Sequence, residues 1–275
     1  MKKKAFNKLS EILNNSEKMP VLFLGHGSPM NAIEENEFVR GFRETGKDIQ
    51  KPEAILCISA HWETRGTHVT AMEYPRTIHD FQGFPQELFN VQYPAPGSPV
   101  LAKEIKNLIQ ETDIGLDEHW GLDHGAWSVI KHLYPNAEVP VIQMSLDYTK
   151  PARYHFELAR ELSRLRGKGI LIIGSGNMVH NLMLVAWDKL KGKPFAYDWA
   201  MEANEKMKTQ ILHEDFESLI DYTGQGRAFE LAIPTPEHYL PLLYTLALKD
   251  KQDETKIFND HSVGGSISMT SVKFG

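Results

Sequence analysis

Three histidines follow apolar runs that read as buried strands. Residues 21–25 lead into His26-Gly27-Ser28-Pro29, residues 54–60 into His61-Trp62-Glu63, and residues 169–174 into Ser175-Gly176-Asn177-Met178-Val179-His180. A fourth, His238, closes Pro234-Thr235-Pro236-Glu237-His238 at the expected start of a helix. Imidazole is the commonest metal ligand, and three or four imidazoles converging on one ion suit Zn(II) or Fe(II). Taken singly, each reads as an ordinary, partly buried histidine. Repetition of one topological position after separate strands is what points to a shared centre. Neither His-Glu-x-x-His nor Cys-x-x-Cys is present, which excludes the common zinc-protease and zinc-finger arrangements.

A fifth histidine, His124, sits in Gly121-Leu122-Asp123-His124-Gly125-Ala126-Trp127, just before an expected helix. It reads either as a loop or capping histidine, or as an acid, base or substrate-binding group at the mouth of the same crevice. Asp80, in Ile78-His79-Asp80-Phe81-Gln82-Gly83-Phe84, reads either as a group that meets substrate or, more simply, as a surface-loop aspartate. Phe81, Phe84, Phe89 and Tyr93 either line a flat apolar pocket or pack loop against core. His68, His119, His132, His155, His213 and His261 have no motif around them and read as structural or solvated. Gly174-Ser175-Gly176 lacks the rest of a dinucleotide fingerprint, and no phosphate-binding Lys-Ser pair follows a glycine-rich loop. Ser28 is not a nucleophile elbow, because His26 and Met30 stand where glycines are needed.

The elements that must carry these residues alternate short β-rich runs with longer helical ones, the pattern of an α/β fold. Strands are expected over 21–25, 54–60, 67–72, 139–146, 169–174, 256–258 and 266–272. Helices are expected over 6–15, 34–45, 99–110 (with Ser98 as N-cap and Pro99 first), 151–166, 195–213 and 235–248. The strands are uniformly apolar, as when helices cover both faces of a mostly parallel or mixed sheet. In such a sheet the carboxyl ends of the strands line the ligand crevice, which is where His26, His61 and His180 fall. No repeat or linker divides the chain, so one domain over 1–275 is expected.

Composition narrows the partners. The formal net charge of -6 gives no reason to expect nucleic acid or an anionic membrane. No apolar run approaches the roughly 18 residues of a membrane span, and Met1-Lys2-Lys3-Lys4 is followed by no secretory signal region. The single cysteine, Cys57, lies in an apolar run and reads as a small buried side chain. A reducing cytoplasm is the expected compartment.

Five segments together resemble one family. They are Gly25-His26-Gly27-Ser28-Pro29-Met30, Ser59-Ala60-His61-Trp62, Leu122-Asp123-His124-Gly125-Ala126-Trp127, Gly174-Ser175-Gly176-Asn177-Met178-Val179-His180-Asn181-Leu182 and Pro236-Glu237-His238-Tyr239-Leu240-Pro241-Leu242. In that order, and over nearly the whole chain, they resemble the bacterial and plant 4,5-DOPA extradiol dioxygenases, which are class III, LigB-type enzymes. The resemblance implies an α/β, LigB-like domain holding one divalent metal per chain. It implies His26, His61 and His238 as ligands, His180 as a fourth ligand or the catalytic base, and His124 as a second catalytic histidine. Ser28, Trp62 and Asp123, which stand beside these histidines, are expected to bind substrate. The implied reaction is extradiol cleavage of a catechol such as DOPA by O2. Fe(II) would be the working metal, and Zn(II) is an ion the same donors would hold. A small aromatic diol and O2 are then the partners, for a monomer or homodimer without nucleic acid or membrane. Three alternatives share parts of this evidence. They are a zinc-dependent hydrolase on the same histidines, a non-catalytic binding protein, and a serine hydrolase, which lacks its elbow.

Overall fold

The computed structural model describes residues 18–190 and 195–275; the helix expected over 6–15 lies outside them. Eight strands form one mixed sheet in the order β4-β3-β5-β2-β6-β1-β10-β7. They are β1 (Val21–Gly25), β2 (Ala54–Thr64), β3 (Thr67–Thr70), β4 (Ile114–Asp117), β5 (Val141–Asp147), β6 (Ile170–Gly176), β7 (Thr255–Phe258) and β10 (Ser271–Phe274). β8 (Ser262–Val263) and β9 (Ile267–Ser268) form a separate short hairpin. The centre β5-β2-β6-β1 is parallel, while β10 and β7 close one side antiparallel.

Side chains alternate between two apolar clusters, as the period of a strand requires. Val21, Phe23, Leu56, Ile58, Ile170 and Ile172 face one cluster. Leu22, Leu24, Ile55, Cys57, Leu171 and Ile173 face the other. Helices Pro99–Leu108, Ala152–Glu161, Asp198–Leu212 and Leu240–Ala247 cover the first face. Helices Glu37–Lys47 and His124–Leu133 cover the second. This is the expected architecture, and Cys57 is buried as expected. No helix of the described residues is long and apolar enough to cross a membrane.

Several elements differ from the sequence expectation. β2 does not stop at residue 60. Its pairing with β6 ends at Ser59, a register shift follows Ile58, and pairing with β5 resumes at Glu63. His61 therefore lies inside an irregular strand and not on a loop after it. The helix expected over 235–248 begins only at Leu240. Tyr239 and Leu240 donate to the Pro236 carbonyl, which holds His238 in a turn ahead of the helix. The helix expected over 151–166 is split at Leu162. The strand expected over 266–272 is likewise split, between β9 and β10. β4 carries no strong apolar signal and went unforeseen. The Ser98 cap is present, its side chain accepting from the Leu101 N–H.

The glycines of β6 serve close packing. A Cβ on Gly174 would collide with the Pro241 carbonyl oxygen, and one on Gly176 with the His238 carbonyl oxygen. The turn and helix that carry His238 thus lie directly on bare strand backbone. Gly176→Ala is expected to cost about 1–3 kcal/mol by overpacking. The expected readout is a lower thermal midpoint, and a variant as stable as the parent would refute the close-contact account.

Candidate metal centre

β1, β6 and β2 are adjacent and parallel, so their carboxyl ends open side by side. The His26 N–H donates to the Gly176 carbonyl at 3.1 Å, which ties the residue after β1 to the end of β6. His180 follows β6 and donates its N–H to the Ala232 carbonyl. His61 comes from the irregular part of β2, His238 from the turn before Leu240–Ala247, and His124 from the first position of its helix. All five rings meet. The centroids of His26, His61 and His238 form a near-equilateral triangle with sides of 5.0, 5.2 and 5.1 Å. His124 lies 3.9 Å from His61 and 5.8 Å from His26. His180 stacks on His238 at 3.5 Å with the planes 8° apart.

Four of the five rings are gripped through Nδ1. His238 Nδ1 is 3.0 Å from Glu237 Oε1. His124 Nδ1 is 2.9 Å, and His61 Nδ1 3.4 Å, from Asp80 Oδ2. A carboxylate only accepts, so the hydrogen-bonded Nδ1 atoms of His238 and His124 carry the proton, and the Asp80 oxygen near His61 Nδ1 favours the same tautomer there. His26 Nδ1 is 3.1 Å from Ser175 Oγ. That hydroxyl already donates to the Gly125 carbonyl at 2.5 Å, so it accepts from His26. In each case Nε2 is left as a bare lone pair.

The consequence is plain at His26 and His61, whose Nε2 atoms are 3.2 Å apart. With the proton on Nδ1 in both rings, none is left for a hydrogen bond between these two atoms. Two lone pairs facing each other repel unless a cation lies between them. Nitrogens each about 2.0–2.1 Å from one tetrahedral ion stand about 3.3 Å apart, with ring centroids about 5 Å apart. The observed separations fit that donor set. The donors also form two tighter trios, His26-His61-His124 and His180-Glu237-His238, each with ligand atoms within 4.8 Å of one another. The triangle takes members from both trios, and His124 and His180 flank it.

Burial sets the protonation states. It is the main cause holding His26 and His238 well below the usual histidine range, and the neighbouring imidazoles add to it. Burial and then His124 bring His61 down to about 3, against the opposing pull of Asp80. Burial brings His180 down to about 4. Burial pushes the Asp80 carboxyl up, but the His124 hydrogen bond and the charges of His124 and His61 leave it lowered on balance. Neutral imidazole is the form that binds metal.

The three residues expected at substrate fare differently. Ser28 is exposed two residues beyond His26 and caps the short turn of helix Pro29–Ala32. Trp62 is buried and stacks on Trp120 at 5.7 Å. Asp123 is fully buried as N-cap of the His124 helix. Its Oδ1 accepts from Ser59 at 2.6 Å and from the Ala126 N–H at 3.1 Å, and its Oδ2 from Gln143 at 2.6 Å. Trp62 thus packs on an aromatic neighbour, and Asp123 spends both carboxylate oxygens on hydrogen bonds within the protein. Ser175 and Glu237 have no role in the sequence reading, and Asp80, read there as a loop aspartate or a group that meets substrate, instead contacts His124 and His61. Glu237 adjoins a candidate ligand, but only the fold brings Asp80 and Ser175 to theirs. Of the aromatic stretch, Phe81 comes edge-on to His124 at 5.5 Å. Tyr93 is buried, with its hydroxyl on the Tyr134 carbonyl.

Residues 20–274 match the family described as the catalytic LigB subunit of aromatic ring-opening dioxygenase. The chain belongs to this family. It is 46% identical over 271 residues to the 4,5-DOPA dioxygenase extradiol of Escherichia coli K12, covering 97% of this chain and 98% of that one. It is 34% identical over 262 residues to the protein of the same name from Beta vulgaris, covering 92% and 95%. A crystal structure of an E. coli K12 protein superposes with a TM-score of 0.80 at 43% identity, covering 94% of this chain and all of that one. This LigB enzyme is thus a metal-using extradiol dioxygenase, and the hydrolase alternative is not favoured.

These buried histidines bind protons less readily in the folded chain than in the unfolded one. Between about 6.5, the ordinary histidine value, and the folded values of about 4 and 3 for His180 and His61, the unfolded chain takes up more protons. Their contribution to stability is therefore full above that window and is lost as pH falls through it. The thermal midpoint of the metal-free enzyme should drop from about pH 7 to about pH 4, and less steeply in His61→Gln. A flat or rising midpoint would contradict this electrostatic picture.

Proposed function

We propose that this LigB enzyme cleaves a catechol such as DOPA with O2, holding one divalent metal through His26, His61 and His238. The observation that carries the reading is the triangle of imidazoles, each with Nδ1 facing an oxygen of the protein and Nε2 left for an ion. His180 sits too close to His238 for both rings to take tetrahedral positions on one ion, which would need about 5 Å between centroids. That spacing favours His180 as a proton-handling group over a fourth ligand. When bound, Fe(II) supplies a redox path between catecholate and O2 that Zn(II) lacks, although Zn(II) suits the same nitrogens.

The chain's own residues then have distinct tasks. A catechol must shed hydroxyl protons to become a strong ligand, and a neutral imidazole accepts them at neutral pH. His124 and His180 flank the triangle beside different ligands, so each reaches a different part of a bound diol. Asp80 fixes the His124 Nδ1–H, leaving Nε2 as the atom that receives a proton. Phe81 offers an aromatic edge beside His124, and exposed Ser28 offers a hydroxyl at the rim. The relatives from E. coli and Beta vulgaris are named for DOPA, which supports a catechol substrate for this chain. Residues 20–274 act as one catalytic unit in this reading, with a small aromatic diol and O2 as the partners.

The test is to load the apoprotein with Fe(II) without air, add DOPA or another catechol, admit O2, and follow uptake and the yellow ring-opened product. Uptake is expected with Fe(II) and none with Zn(II). His26→Ala, His61→Ala and His238→Ala should each lose bound metal. His180→Gln and His124→Gln should keep the metal and lose about 10²–10⁴-fold in kcat. Absence of uptake with every catechol, or metal retained after the ligand substitutions, would remove the reading.

A further inference from the structure

Asp80 comes from none of the strands that carry the histidines, yet it touches two of them. Its Oδ2 is 2.9 Å from His124 Nδ1 and 3.4 Å from His61 Nδ1, and its Oδ1 accepts the His124 backbone N–H at 2.9 Å. Its side chain is 19% exposed. The loop that brings it is built, not loosely draped. Ile78 donates its N–H to the Leu122 carbonyl at 2.7 Å. Trp127 Nε1 donates to the Ile78 carbonyl at 2.8 Å. On the other side of Asp80, Phe81 packs against Phe84 and Phe89 at 5.3 and 5.0 Å.

We propose that Asp80 is a positioning residue that sets the tautomer and aim of two imidazoles at once, one bound for the metal and one for the substrate's proton. The proposal rests on the reading of His61 as a ligand and His124 as a proton-handling group. Outer carboxylates commonly orient metal-ligating histidines in this way. Here a single carboxylate oxygen serves a ligand and its catalytic neighbour together, and the two rings lie 3.9 Å apart. Loss of the carboxylate frees both Nδ1–H groups. Each ring can then turn, or move its proton to Nε2, which blocks the lone pair the site needs. An asparagine does not replace it. With its oxygen toward the rings, its NH2 faces the His124 N–H, donor against donor. With its NH2 toward the rings, both imidazoles must accept at Nδ1 and carry the proton on Nε2.

The experiment uses the metal-free and zinc-loaded full chain of the parent, Asp80→Ala, Asp80→Asn and His61→Ala. Long-range 15N–1H correlation spectra of the metal-free protein at neutral pH report each ring's tautomer. His61 and His124 are expected as Nδ1–H in the parent and shifted toward Nε2–H in both Asp80 variants, with the remaining spectrum unchanged. Zinc affinity should fall about 10–100-fold in the Asp80 variants, and the cobalt-substituted proteins should show altered visible ligand-field bands. Should Asp80→Ala fail to fold, Asp80→Asn alone decides between these outcomes. Unchanged tautomers, or zinc affinity within about twofold of the parent while His61→Ala loses it, would overturn the role of Asp80 and leave the metal reading intact. Zinc affinity unchanged in His61→Ala as well would instead remove the ligand assignment itself.

Discussion

The site depends on imidazoles kept neutral in a buried place and held so that their lone pairs converge. Each half of that condition opposes folding. Burying five imidazoles removes their hydration, and aligning bare nitrogens at 3.2 Å sets like charge density face to face. The chain meets the first cost by giving ring N–H groups an acceptor inside the protein, through Asp80, Glu237 and Ser175. The second cost is left in place, and a cation removes it. Binding energy for the metal is thus stored as repulsion among preset lone pairs.

The sheet makes this convergence possible at low cost in chain. β1, β6 and β2 are separated widely in sequence but adjacent in space, and all three point the same way. Residues at or just past their carboxyl-terminal parts are therefore neighbours without any long excursion. His238 and His124 arrive from above the strand ends, each at the beginning of a helix or in the turn before one. That approach needs bare backbone beneath, which the glycines of β6 provide. At Gly125 a Cβ would meet Ser59 Oγ and the His61 ring, so the same device lets the His124 helix settle on β2. The packing of the fold and the geometry of the site are one constraint seen at two scales.

Much of this was legible in the chain because apolar strands and their sequels are local signals. The runs before His26 and His180 read correctly, as did the Ser98 cap and the two-faced burial. His61 was legible as a residue near a strand end, but not the irregular pairing that carries β2 on to Thr64, since a register shift is decided by β5 and β6. His238 read as helix because Thr235-Pro236-Glu237 mimics a cap, whereas the turn closes on the Pro236 carbonyl first. Asp123 and Trp62 stand next to candidate site histidines in sequence, and adjacency suggests contact with substrate. Both instead turn to internal partners, because a buried helix start needs a capping acceptor and a strand's neighbouring side chains diverge. Asp80 shows the converse. Its meaning depends on a loop folding back across the sheet, and no spacing rule in the chain announces that.

The five histidines are chemically identical in the sequence and unequal in space. Three stand at the corners of a triangle wide enough for one ion. Two lie against its corners, at 3.9 and 3.5 Å, nearer than rings that share one tetrahedral ion. A charge on a neighbouring ring makes His26 and His238 harder to protonate, since both feel the other rings across a buried space. A proton taken from a substrate therefore cannot rest on a ligand histidine without weakening the metal. In the proposed reading it settles on a flanking ring, and His124 has the Asp80 carboxylate beside it. In the proposed reading the division of labour among the rings follows from their spacing, since Asp80 and Glu237 stand behind ligand and flanking rings alike.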